Sequence, residues 1–149
     1  MAQFSILNSH PREGELLVAE LCCTTLHSQT NWKIGSSNLP RIIGVAGKLA
    51  TTFQGRHVAK QVLRSGTAGA ANYGEARGAE SRADFIHKMR IVQKELNETS
   101  VWLRVIMKSS LLSPELIVAL VAENKELSRI VTASIRTARR RSAVPSDEN

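Results

Sequence analysis

The sequence predicts an all-α fold, an up-and-down antiparallel four-helix bundle with an irregular N-terminal extension, and three observations carry that prediction. Apolar residues recur at three- and four-residue spacing after about residue 39, most clearly at Phe85, Met89, Val92, Leu96, Thr99, Leu103 and Ile106. Hydrophobic residues make up 42% of the chain and aromatic ones only 4%, a balance that suits aliphatic helix packing. The periodic runs are joined by links of a few residues, so consecutive helices must reverse direction. No alternating strand pattern competes.

Residues 1–39 do not follow this pattern. Pro11, Gly14, Gly35 and the cluster Ser36-Ser37-Asn38 punctuate them, and the only periodic piece, Glu15 to Leu26, predicts at most a short helix. This segment is expected to add little to the core. The bundle then spans 40–141. Its first helix should run from Leu39 or Pro40 to Thr51, with Ile42, Val45 or Ala46, and Leu49 on one face that Phe53 extends. Gly44 and Gly47 weaken it.

The second helix should run from Gly55 to Arg77, burying Val58, Val62, Tyr73 and Ala76. Gly66 and Gly69 fall in the same stripe, where they predict a kink or a close helix contact. Gly78 ends this helix, and Ser81 with Asp84 resembles a capping box opening the third, which should reach Ser110. Ser113 and Pro114 open the fourth, whose inward face is Ile117, Leu120, Asn124, Leu127, Val131 and Ala138. Asn124 inside that stripe predicts a register-setting polar contact. Residues 142–149 should fray.

Charge is distributed unevenly. Residues 40–141 hold eighteen of the twenty Lys and Arg but eight of the thirteen Asp and Glu, a net of +10 within a chain of +7. Concentration in the folded part favours an anionic partner. Arg56, Lys60 and Arg64 line the outer side of the second helix, Arg90, Lys94, Arg104 and Lys108 that of the third, and Lys125, Arg129, Arg136 and Arg140 that of the fourth. Phosphate contacts need only cations along a surface. Arg56, Lys60, Arg64, Arg90, Lys94, Arg129, Arg136, Arg139, Arg140 and Arg141 are therefore the candidate track for DNA or RNA. No recognition-helix motif or aromatic platform appears, so single and double strands of unrelated sequence are expected to bind alike. The alternative is a structural or protein-interaction bundle whose basic surface docks an acidic protein.

Ile91 and Trp102, with Glu95 and Glu98 beside them, lie on the flank of the third helix. Helical geometry allows this flank to be a subunit interface or to pack within the chain. Asp84 and His87 put a carboxylate and an imidazole one turn apart, but the second such pair that a di-iron bundle needs is missing, so no metal or other cofactor is expected. No nucleophile elbow, Ser/His/Asp ordering or phosphate loop suggests an enzyme. Adjacent Cys22 and Cys23 read as free thiols, and the opening MAQFSILNSH lacks a basic region followed by an apolar run. A cytoplasmic protein without a membrane span is the expectation.

The stretches GRHVAKQVLRSGTAGAANYGEARGAES, DFIHKMRIVQKELNETSVWL and ELSRIVTASIRTARR carry a resemblance. From Arg41 to Arg141 the chain resembles the bacterial four-helix bundle proteins encoded within intervening sequences of large-subunit ribosomal RNA genes. It resembles especially the accessory variability determinant proteins of diversity-generating retroelements. The resemblance implies a ring-like homopentamer with a positive surface and no catalytic activity. In the retroelement branch it also implies binding to nucleic acid and to a partner reverse transcriptase.

Overall fold

The computed structural model describes residues 38–140, and these form four helices: α1 (Leu39–Leu49), α2 (Phe53–Arg77), α3 (Arg82–Lys108) and α4 (Pro114–Arg140). Glu15 to Leu26, Arg141 and residues 142–149 lie outside the described residues. Consecutive helices pack side by side, and α1 closes the square against α4. Each reversal has a local cause. Thr52 is extended and its hydroxyl accepts from Gly55 N–H at 2.9 Å, capping α2. Ser81 does the same for α3, accepting from Asp84 N–H at 3.1 Å, which is the cap expected from the sequence. Ser110, at φ 52°, takes the left-handed conformation that turns the chain from α3 toward α4.

Phe53 corrects the sequence reading. It does not extend the apolar face of α1, which stops at Leu49; it begins α2 and is 78% exposed. The reason is the Thr52 cap, which restarts the helix two residues before Gly55. On α4, Ser134 and Ile135 are buried while Ala138 is only partly so.

The core is two clusters. One joins Ile42, Val45, Ala46 and Leu49 of α1 to Val58 and Val62 of α2, Leu103 and Ile106 of α3, and Ile117 and Leu120 of α4. The other joins Tyr73 and Ala76 of α2, Phe85, Met89, Val92 and Leu96 of α3, and Leu127, Val131 and Ile135 of α4. A fully buried Leu, Ile or Met stabilises by roughly 1.5–3 kcal/mol, so both clusters weigh heavily. Between them lies a polar layer with one buried residue per long helix. Thr99 donates to Ser65 Oγ at 2.8 Å, and Asn124 Nδ2 donates to the Leu96 carbonyl at 3.0 Å. Asn124 thus makes the polar contact its place in the stripe predicts.

Gly55 and Gly66 of α2 allow close approach of α1. A Cβ on Gly55 would collide with the Leu49 carbonyl oxygen, and one on Gly66 would lie 2.7 Å from Ile42 Cδ1. These contacts seat α1 on α2. Gly69 faces Glu95 of α3, where a Cβ would meet Glu95 Cβ at 3.6 Å.

Candidate nucleic-acid interface

Helix periodicity places cations outward on three helices, but inter-helix contacts decide which of them share a face. Gln93 Nε2 donates to Thr132 Oγ1 at 2.7 Å, fixing where α3 and α4 meet at the surface. At about 100° per residue, Arg90, Arg104 and Lys108 fall within about 60° of Gln93 around α3. Lys125, Arg129, Arg136 and Arg139 fall within about 60° of Thr132 around α4. All are exposed. Because the two helices run antiparallel, the Gln93–Thr132 bond sets Arg90 beside the turn of Arg136, and Lys94 beside the turn of Arg129. Lys94 and Arg140 edge the same face.

Carboxylates of these helices turn elsewhere. Asp84, Glu95 and Glu98 lie at least about 140° from Gln93, and Glu115 and Glu126 about 100° or more from Thr132 on the side away from α3. Glu123 pairs with Arg41 of α1 at 2.8 Å. Among the described residues, then, the strip within about 60° of the Gln93–Thr132 contact holds cations and no acid, and Glu115 and Glu126 border it on α4 much as Lys94 does on α3. Between its two rows the floor near the Gln93–Thr132 contact is neutral and polar, with Gln93, Asn97, Ser100, Ser128 and Thr132, and toward the start of α4 it carries the exposed Val118.

The α2/α3 face has the opposite character. Glu98 pairs with Arg64, and Lys88 Nζ with Glu75 at 2.5 Å. The hydrogen bond and charge of Glu75 raise the Lys88 pKa above the usual lysine value. Trp102 Nε1 donates to Glu98 at 3.3 Å, and its ring meets His57 edge-on at 6.1 Å. Ile91, Glu95, Glu98 and Trp102 are all half-buried on this α2-facing flank. Two of them already have partners within the chain.

The structure therefore divides the cations named from the sequence. Arg90, Lys94, Arg129, Arg136, Arg139 and Arg140 come together on the α3/α4 face. Arg56 and Lys60 lie on α2, off that face, and Arg64 is engaged with Glu98. Arg104, Lys108 and Lys125 belong to the face although the candidate track omits them. Their signal was present, since they obey the same periodicity as the rest.

No group of three or more His, Cys, Asp or Glu among the described residues could hold a metal. No helix among them is long and apolar enough to cross a membrane.

Residues 32–133 match the family model described as 23S rRNA-intervening sequence protein. The fold is similar to the crystal structure of a protein of unknown function from the S23 ribosomal protein family of Bacteroides thetaiotaomicron. The two are 32% identical with a TM-score of 0.67, over 71% of this chain and 97% of that one. Among curated proteins, none matches this chain.

Proposed function

The chain belongs to the family of 23S rRNA-intervening sequence proteins, and from that premise and the charge of its surface we propose a non-enzymatic bundle that binds nucleic acid through phosphate contacts. The observation that carries this reading is the strip along the α3/α4 contact, where cations of two helices stand together and the nearest carboxylates, Glu115 and Glu126, lie only at its border. Single helices often display a charged outer side for solubility alone. Two adjacent helices that bring their cations to the line of contact and keep their carboxylates at or beyond its border concentrate positive potential on one side, as a polyanion requires.

The finer reading is a homopentamer that serves as accessory to a reverse transcriptase in a diversity-generating retroelement. Its support is the sequence resemblance. Within such an oligomer the Ile91, Glu95, Glu98 and Trp102 flank would meet a neighbour through the parts that α2 leaves exposed. A reverse transcriptase gene with template and variable repeats beside this gene would support the retroelement role, and a location inside a ribosomal RNA gene would oppose it.

Replacing Arg136, Arg139, Arg140 and Arg141 by Gln tests the main reading. The bundle should stay folded by circular dichroism. Binding should weaken equally for all sequences, and log affinity should fall less steeply with log salt. If the parent binds no nucleic acid even at low salt, docking of an acidic protein becomes the better reading.

A further inference from the structure

We infer that the α3/α4 face takes double-helical nucleic acid in preference to single strands, a conclusion that rests on the nucleic-acid reading above and names its substrate class. Net charge alone would treat the two alike. The arrangement of side chains does not.

Single-strand binders combine cations with exposed aromatic rings on which bases stack. The described aromatic side chains are all withheld from this face. Tyr73 and Phe85 are buried in the core, and Trp102 is half-buried between His57 and Glu98. Phe53 is exposed, but it stands at the start of α2 beside the α1–α2 turn. What the face offers instead is two rows of cations over a floor of neutral polar and aliphatic side chains. An unstacked base laid on it would find no aromatic platform among the described residues.

Rigidity points the same way. On α4, Lys125 and Arg129 are about 6 Å apart along the axis, as are Arg136 and Arg140, and the row extends about 22 Å. The backbone positions that carry these side chains are set by the helices, and the Gln93–Thr132 bond joins α3 to α4, before any ligand arrives. A duplex brings phosphates that are also fixed, at about one per 1.7 Å of axis, against about one per 3.4 Å for each strand alone. A duplex arrives already ordered, whereas a flexible strand must be ordered on this face without stacking to offset that loss.

The test uses the full chain and fluorescence anisotropy, with duplex DNA, duplex RNA and the component single strands, all of equal length and at about 0.1 M salt. Both duplexes should bind at least about ten-fold more tightly than either single strand, with a steeper dependence on salt. Single strands that bind as tightly as duplexes, or a preference confined to one of the two duplexes, would overturn the inference while leaving nucleic-acid binding intact. Absence of binding to every probe would instead overturn the proposed function itself. Location is tested in parallel. Arg129→Gln with Arg136→Gln should bring duplex affinity down toward that of single strands, whereas Arg56→Gln with Lys60→Gln should leave the preference in place. The reverse pattern would assign the duplex to another face and overturn the inference.

Discussion

Gly55 and Gly44 look alike in the sequence, each a glycine beside an apolar stripe, yet they have opposite surroundings. A methyl group on Gly55 would strike the Leu49 carbonyl and lie 2.8 Å from Thr52 Oγ1, whereas one on Gly44 would meet nothing within 4 Å. Gly55→Ala should therefore cost roughly 1–3 kcal/mol through overpacking against backbone that cannot move aside. Gly44→Ala should gain roughly 0.5–1 kcal/mol through helix propensity. Urea midpoints of the two variants check this, and shifts in the same direction would sink it. The difference was not legible in the sequence, because the Leu49 contact is set by how α1 lands on α2. Asn124 was legible as polar within an apolar stripe, but its partner on α3 was not. Its Oδ1 is buried without a hydrogen-bond partner, so Asn124→Leu should leave stability unchanged or raise it by about 1 kcal/mol. A clear loss by calorimetry would mean that the Nδ2 bond to Leu96 outweighs the buried carbonyl.

At the scale of elements, helix ends followed from caps that the sequence displays, such as Ser81 with Asp84, and helix faces followed from periodicity. What periodicity leaves open is which outward stripes become neighbours. That depends on contacts between distant side chains, Gln93 with Thr132 and Arg64 with Glu98, and neither pair has a local signature. Hence the cations of α2 seemed continuous with those of α3 and α4. The start of α4 yields a pH prediction. The Glu115 carboxylate accepts hydrogen bonds from its own backbone N–H and from Ser113, which hold its pKa below the ordinary glutamate value. A depressed carboxylate stabilises the fold above its unfolded pKa, and that contribution fades as pH falls through the folded value. Since the group is exposed, the effect should be small. Glu115→Gln should make the thermal midpoint slightly less sensitive to acidification from about pH 5 to pH 3, and an identical profile would refute the assignment.

For the whole molecule, a cationic strip is a source of self-repulsion as well as a place for phosphate. Arg90 and Arg136 share adjacent turns with no carboxylate between them, so the fold should gain stability as ions shorten the Debye length from about 30 Å at 0.01 M to about 8 Å at 0.15 M. The thermal midpoint should rise over that range. Arg136→Gln should raise it at low salt and diminish the rise, while weakening nucleic-acid binding. A variant that loses both binding and stability would show instead that Arg136 supports the fold. The split core has a separate consequence, in the time domain. Because α1 contributes only to the cluster at its own end, and a polar layer separates that cluster from Tyr73, Met89 and Val131, α1 can undock as a unit while the far cluster stays closed. Amide hydrogens of α1 should exchange with solvent deuterium well before those of the Val92 and Val131 turns, so that opening proceeds from one end of the bundle.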